Sequence, residues 1–144
     1  MTGETRRPPV EEYGVMYRVE DTHWWYHGFE AVTRQVIEQY YARGGRILRR
    51  ILDAGCGTGA AMGYLVDYGT VFGVDYADQA LYYSRLRNRA RLAQGSVMSL
   101  PYRAASFDLV ASFDVICQFG VTDDEWALRE YARVLAPGGR LILR

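Results

Sequence analysis

Lysine is absent from this sequence, and its 17 basic residues, all arginine, balance 17 acidic residues to a formal net charge of zero. A neutral chain has no overall field that would draw it to nucleic acid or to an anionic membrane. The first nine residues lack the apolar core of a signal peptide, and no apolar run approaches the length that spans a bilayer. We therefore expect a cytoplasmic protein with no membrane or nucleic-acid partner.

Cysteine and histidine are equally scarce, with two residues of each. Cys56 and Cys117 stand in apolar surroundings in different predicted elements, so we expect two buried thiols and no disulfide framework. His23 and His27 are four positions apart and can share a helix face. Two histidines alone make a poor metal site, and we expect none.

Three of the 15 glycines lie close together in one segment, ILDAGCGTGA at 51–60. It leads from an apolar strand into a loop with glycine at 55, 57 and 59. Positions without a Cβ atom let backbone N–H groups approach a ligand closely, at the positive end of the following helix. The spacing fits G-x-G-x-G and also, through Ala60, the dinucleotide pattern G-x-G-x-x-A, so the glycines alone leave the ligand open.

Apolar periodicity predicts helices and strands in alternation, which is typical of a parallel sheet covered by helices. The aromatic N-terminal segment carries an amphipathic helix over Gly28–Arg43 that ends at Gly44 and Gly45. Five strands are predicted at Ile47–Asp53, Val71–Asp75, Leu92–Val97, Phe107–Phe113 and Arg140–Leu143. Three helices are predicted at Thr58–Tyr68, Ala77–Arg89 and Asp123–Leu135. The predicted organisation is a helical cap segment, residues 1–45, before an α/β core, residues 46–144.

The fifth predicted strand has the character of an internal strand, yet no sequence follows it. An unpaired sheet edge invites association with other chains. We expect that a partner covers this edge or that the sequence is part of a longer protein.

Asp75 ends the second predicted strand, 22 positions after Asp53. This is about the distance beyond a glycine loop at which a carboxylate receives the two hydroxyls of a ribose. The alternative interpretation is a helix N-cap or a turn residue.

Four segments together resemble the class I S-adenosylmethionine-dependent methyltransferases. They are ILDAGCGTG at 51–59, VFGVD at 71–75, LPYRAASFDLV at 100–110 and RVLAPGGRLI at 133–142. The rival interpretation, a nicotinamide-dependent oxidoreductase, accounts for only the first two. The resemblance implies a Rossmann-like, doubly wound parallel sheet of strand order 3-2-1-4-5, an N-terminal helical lid, and two further strands that this sequence lacks.

The resemblance also implies roles for individual residues around the cofactor, S-adenosylmethionine. Gly55, Gly57 and Gly59 would cradle its amino-acid portion, and Asp53 would order that loop or meet the amino group through water. Asp75 would hold the ribose diol.

The adenine end is expected near Tyr76 and the segment after the third strand. Tyr76 would lie against the adenine face, or is simply a half-exposed residue at a helix start. Relatives often have an acidic residue where this sequence has Ser96. A serine can still accept a hydrogen bond from the exocyclic amine, and recognition would rest more on the backbone of Val97 or Met98.

Asp114 follows the fourth predicted strand, where chemistry is expected, and is the best acid–base candidate and a possible cofactor contact. Its alternative roles are a helix cap or a contact to the cofactor loop. In-line methyl transfer mainly requires alignment, so a base is needed only if the acceptor must lose a proton. Gln118, on the substrate side, stands where relatives frequently have histidine.

Two further groups of residues have competing interpretations. Tyr17, Trp24 and Trp25 could form a lid over the sulfonium, because aromatic faces attract a desolvated cation, or could pack the first helix on the sheet. A basic run is assigned to a solvated helix face rather than to RNA binding, because helical spacing spreads its members around the helix. The run consists of Arg85, Arg87, Arg89 and Arg91.

The sequence therefore predicts an enzyme that binds S-adenosylmethionine, methylates a small molecule at O, N or C, and releases S-adenosylhomocysteine. The first alternative is a binding module or fragment without turnover, and the second is the oxidoreductase. The acceptor and the oligomeric state are left open, because function depends on the site rather than on the fold.

Overall fold

The computed structural model describes residues 10–42, 47–118 and 120–144. Two helices come first, α1 over Val10–Val19 and α2 over Trp24–Ile37. His23 precedes α2 in an extended conformation and caps it, because its ring nitrogen accepts the N–H of Trp25. A π-helical turn, Glu38–Ala42, continues α2. The predicted helix end at Gly44 and Gly45 lies outside the described residues.

Five parallel strands form one sheet in the order β3-β2-β1-β4-β5. They are β1 Arg50–Ala54, β2 Thr70–Asp75, β3 Leu92–Gln94, β4 Phe107–Ser112 and β5 Leu135–Leu143. The connecting helices are α3 Ala60–Leu65, α4 Asp78–Leu86 and α5 Asp124–Val134. This topology confirms the predicted fold class and strand order.

The largest departure from the predicted boundaries is at the fifth strand, which begins at Leu135 rather than at Arg140. Phe107 pairs with Leu135, but Leu109 already pairs with Arg140, so β5 bulges between these two pairs. The bulge contains Pro137 and Gly138, and Gly138 has a φ of 75°. A proline and a left-handed glycine are typical of a bulge, so the segment predicted as a turn belongs to an irregular strand.

Alternating strand residues divide the core into two layers. Ile51 and Leu109 point to the face that α2, α3 and α4 cover, whereas Leu52 and Val110 point to the face covered by α5. Tyr131, from α5, is fully buried in the second layer. Helices on both faces are what a doubly wound sheet requires, and they leave its carboxyl-terminal edge free for a site. None of the described helices has the length and apolar character needed to cross a membrane.

Candidate functional site

A cavity of about 1100 Å³ opens at the carboxyl ends of β1, β2 and β4, beneath the two N-terminal helices. Asp53, Asp75 and Asp114 reach it from the sheet, and Tyr13 and Trp25 line it from α1 and α2. Open α/β sheets bind ligands in this crevice, where the strand order reverses. The volume slightly exceeds the ~300–1,000 Å³ of pockets for one small molecule, which leaves room for two reactants.

Gly55 and Gly57 line this cavity as predicted, with positive φ angles of 80° and 53°. A Cβ atom at Gly57 would meet nothing within 4 Å, so a ligand can approach its backbone. Gly59 differs from these two glycines, because it is not among the residues that line the cavity. The space beside it is filled, because a Cβ atom there would lie 2.7 Å from Ser84 Oγ and 2.9 Å from Arg89 Cγ. Gly59 therefore permits close packing of the loop on α4 and does not line the cavity.

Asp75 joins the glycine loop to the start of α4. Its Oδ2 accepts the N–H of Gly57 and its Oδ1 accepts the N–H of Ala77, both at 2.9 Å. Burial raises the pKa of this carboxyl, and the two N–H donors oppose that shift. The predicted turn role is thus present, and the same carboxylate also borders the cavity.

Asp53 is only 1% exposed, and its Oδ2 has no hydrogen-bond partner among the described residues. Burial raises its pKa to about 7, and the charges of Asp75 and Glu20 add to the shift. This oxygen makes no bond to the glycine loop, and the alternative role, a contact with the amino group of the cofactor, stays a prediction. A buried oxygen without a partner, at a cavity wall, is suited to accept a bond from a cationic ligand group.

Two side chains that the sequence analysis did not identify form hydrogen bonds with carbonyls of the glycine loop. The Ser84 hydroxyl donates to the carbonyl of Gly57, and the Arg89 Nε–H donates to the carbonyl of Gly59, each at 2.9 Å. The partners are 27 and 30 positions apart, so no local sequence pattern reveals them.

Arg87 also departs from the predicted solvated face. Its guanidinium lies 3.2 Å from the Glu20 carboxylate, and the two side chains are 8% and 6% exposed. Glu20 in turn accepts the hydroxyl of Thr58, in the glycine loop. Burial raises the pKa of Glu20, and the bonds from Thr58 and Arg87 oppose that shift.

At the predicted adenine end, Tyr76, Ser96 and Val97 all line the cavity. Ser96 Oγ accepts the N–H of Met98 at 3.1 Å, and the Met98 carbonyl accepts the Trp126 indole N–H at 2.8 Å. The backbone of Met98 is therefore already engaged and the residue does not line the cavity, which favours Val97 of the two predicted backbone contacts.

At the opposite end, Asp114 lines the cavity with a φ of 56°. It does not cap the next described helix, because α5 begins at Asp124 and is capped by Asp123. Its carboxylate binds the Arg144 guanidinium through Nε at 3.1 Å and through the terminal nitrogen at 2.5 Å. That guanidinium lies 3.6 Å from the ring centre of Phe29 and 5.3 Å from that of Phe113. Gln118 also lines the cavity, and its amide donates to the Asp114 carbonyl.

Only one of the three predicted lid aromatics reaches the cavity. Trp25 lines it and packs edge-on against Phe29, with ring centres 4.7 Å apart. Trp24 is 72% exposed, and Tyr17 stacks on the Arg87 guanidinium, away from the cavity. Tyr13, which the prediction missed, is buried at the cavity, and this burial raises the pKa of its phenol.

The remaining predictions concern thiols and metals. Cys56 is buried as predicted, but Cys117 is exposed because it lies in the irregular segment after β4 rather than inside an element. Within residues 10–42, 47–118 and 120–144, no group of three or more His, Cys, Asp or Glu side chains could hold a metal ion.

The sequence profile of the methyltransferase-domain family matches residues 52–143, more than half of the chain. The chain belongs to the class I S-adenosylmethionine-dependent methyltransferases. The methyl donor of this family is S-adenosylmethionine. The four segments that carried the resemblance thus led to the correct family.

Individual relatives support the family assignment. An Encephalitozoon cuniculi protein named as a methyltransferase is 36% identical over 113 residues, covering 78% of this chain and 50% of the relative. The demethylmenaquinone methyltransferase of Deinococcus radiodurans is 37% identical over 106 residues, covering 66% and 42%. Other relatives are named as tRNA methyltransferases. The chain spans about half the length of the curated relatives that it matches.

Solved structures support the fold. An S-adenosylmethionine-dependent methyltransferase structure from Methanococcus maripaludis aligns with a TM-score of 0.79 at 20% identity. The alignment covers 99% of this chain, including both N-terminal helices, and 66% of the other chain.

Proposed function

We propose that this methyltransferase binds S-adenosylmethionine in the described cavity and methylates a small-molecule acceptor there by in-line displacement. The main observation in support is that Asp53, Gly57 and Asp75 lie together at the carboxyl ends of β1 and β2. Together they offer a buried carboxylate oxygen without a partner, a backbone open to close approach, and a second carboxylate at hydrogen-bond distance from that backbone.

Each of these groups fits one part of the cofactor, which supplies a methyl group on a positively charged sulfur. Asp53 would accept the amino group, Gly55 and Gly57 would border the amino-acid portion, and Asp75 would receive the ribose hydroxyls. Tyr76 would lie beside the adenine, with Ser96 and Val97 at its edge. This ligand set is the proposal and extends the family assignment to individual side chains.

The proposed acceptor is a flat, largely apolar small molecule. Its end of the cavity is bordered by aromatic side chains, which favour stacking. These are Trp25, Tyr26, Phe29, Tyr64 and Phe113. Among the described residues that line the cavity, Arg144 is the only arginine, and it is bound to Asp114. A site for RNA would need several free cations for the phosphates, so a small molecule fits better.

Asp114 is proposed as the acid–base group for acceptors that must lose a proton. Support comes from its place at the cavity and from its positive φ, because strained backbone is concentrated at functional sites. Binding without turnover is the second candidate, and it is favoured by the contacts that both Asp114 oxygens already make with Arg144.

The organisation of the whole protein is part of the proposal. Residues 1–45 would form a cap over a cofactor-binding core at 46–144, in the cytoplasm. The idea that a partner or further chain covers the outer edge of β5 stays a prediction.

Calorimetric titration of the protein with S-adenosylmethionine, S-adenosylhomocysteine and NAD tests the cofactor site. The proposal expects binding of the first two and a large loss in Asp75→Ala. Binding of NAD alone would overturn it. Asp78→Ala is the matched control, because Asp78 is exposed, opens the same helix and bonds only to the adjacent N–H of Gln79.

Turnover is tested separately with a panel of aromatic and aliphatic acceptors, using release of S-adenosylhomocysteine as the readout. We expect methylation of aromatic acceptors and reduced turnover in Asp114→Asn, because asparagine tolerates a positive φ but accepts a proton poorly. Binding of the cofactor without any turnover across the panel would favour the binding module.

A further inference from the structure

Three elements far apart in sequence meet in one buried cluster, formed by Glu20, Thr58 and Arg87. Glu20 follows α1, Thr58 lies in the glycine loop, and Arg87 follows α4. Glu20 accepts a hydrogen bond from Thr58 across 38 positions and another from Arg87 across 67 positions. The cluster therefore connects the N-terminal helices directly to the cofactor loop.

Arg87 fixes the Glu20 carboxylate in place. One terminal nitrogen binds Asp21 at 2.6 Å, and the other donates to the Tyr17 carbonyl at 3.0 Å as well as to Glu20. Its guanidinium also lies 4.6 Å from the centre of the Tyr17 ring. Arg87 thus binds Tyr17, Glu20 and Asp21, and these three contacts hold the end of α1 in place.

A buried ion pair is a weak source of stability, because removing two charges from water offsets most of their attraction. The pair therefore fits a positioning role better than a stabilising one. Thr58 stands between Gly57, whose N–H binds Asp75, and Gly59, whose carbonyl binds Arg89. A shift of the Thr58 side chain would therefore displace its two neighbours in the loop, and of these Gly57 lines the cofactor side of the cavity. Tyr13, on α1, and Glu20 itself also border the cavity. A direct contact of Glu20 with the ligand would make the losses of Glu20→Gln and Thr58→Val add, whereas positioning through Thr58 would not.

We propose that Glu20 is a positioning residue that couples the docking of α1 to the binding-competent conformation of the glycine loop, through the hydroxyl of Thr58. The proposal rests on the proposed function, because the ligand that senses the loop is the cofactor. Coupling between two sites is reciprocal. If docked α1 favours cofactor binding, the bound cofactor must favour docked α1 by the same factor.

The first measurement is a double-mutant cycle on the dissociation constant of S-adenosylhomocysteine, with Glu20→Gln, Thr58→Val and the double variant. We expect each single variant to bind about tenfold more weakly. The double variant should lose little more, because both substitutions remove the same hydrogen bond between Thr58 and Glu20. Thr58→Ser keeps the hydroxyl and should bind like the wild type. Asp21→Asn removes a carboxylate that binds the same arginine and also borders the cavity but has no bond to the loop, and its loss should be smaller than that of Glu20→Gln.

The second measurement is hydrogen exchange of the α1 amides with and without S-adenosylhomocysteine, at saturation for every variant. The ligand should slow exchange in the wild type and in Thr58→Ser, but much less in Glu20→Gln and Thr58→Val. A purely structural role would change exchange in the free protein and leave the effect of the ligand intact, which would overturn the proposal.

The outcomes separate this proposal from the proposed function. A folded wild type that does not bind S-adenosylhomocysteine overturns both. Wild-type binding that persists unchanged in Glu20→Gln and Thr58→Val, or losses that simply add in the double variant, overturns the coupling alone.

Discussion

The Asp75 carboxylate accepts the backbone N–H of Gly57 at 2.9 Å, although 18 positions separate the two residues. The bond links the loop after β1 to the end of β2, where the two parallel strands run side by side. It holds Gly57 at a φ of 53° beside open space. One side chain therefore shapes the loop and borders the cavity.

Asp75→Asn should weaken binding of S-adenosylhomocysteine by roughly tenfold to a hundredfold, since hydrogen bonds to charged groups contribute about 1.5–3 kcal/mol. The amide can keep one acceptor for Ala77 but loses the second carboxylate oxygen. Calorimetric titration beside Asp78→Asn checks this. Equal dissociation constants for the two variants would remove Asp75 from the ligand set.

Alanine at Gly57 and alanine at Gly59 should have different effects. At Gly57 the new Cβ atom meets only open space, so the unfolding free energy should fall only by the backbone strain of about 1–2 kcal/mol. The same Cβ atom would block the approach of the ligand, so binding should weaken. At Gly59 the Cβ atom also collides with Ser84 and Arg89, so unfolding free energy should fall by about 3 kcal/mol. Urea unfolding and calorimetric titration, measured on both variants, separate the effects. A larger loss of stability in Gly57→Ala would contradict this account.

The stability of the protein should depend on pH through Asp53. Its pKa of about 7 in the folded chain lies above the ~3.9 of an unfolded aspartate. The folded state therefore binds more protons between these values, and the Asp53 contribution to stability is lost as pH rises toward 7. Asp53→Asn has no charge to bury, so its stability relative to the wild type should increase between pH 5 and pH 8.

Urea unfolding of both proteins at pH 5 and pH 8 measures this difference, which should be on the order of 2 kcal/mol. Comparing each variant with the wild type at the same pH cancels the contributions of groups that do not interact with Asp53. Asp67→Asn, at an exposed residue, should show no such change. A constant difference between wild type and Asp53→Asn would mean that Asp53 is ionised throughout this range.

Ser84→Ala should destabilise the protein by about 1–2 kcal/mol, because it leaves the Gly57 carbonyl without its side-chain donor. The serine is fully buried, so water cannot easily replace the hydroxyl. Ser99→Ala, at an exposed position, is the control. Thermal unfolding of the two variants decides the matter, and equal midpoints would show that the bond contributes nothing.

Much of the architecture could be predicted because it depends on local patterns. Strand and helix order follow from the period of the apolar residues, and Gly55, Gly57 and Asp75 follow from their spacing around the first two strands. Boundaries were less accurate where backbone geometry overrides composition. The bulge in β5 incorporates Pro137 and Gly138 into a strand, although their composition is that of a turn.

The sequence by itself determined the family, the α/β sheet and the residues that end its strands, because these depend on neighbours close in the chain. Only the tertiary structure decided which side chains line the cavity and which contact the glycine loop. In the structure, Gly59 and Tyr17 lie away from the cavity. The side chains that contact the glycine loop are those of Ser84, Arg89 and Glu20. The physical reason is that these contacts join residues far apart in the sequence, and the packing of helices on the sheet sets which of them meet.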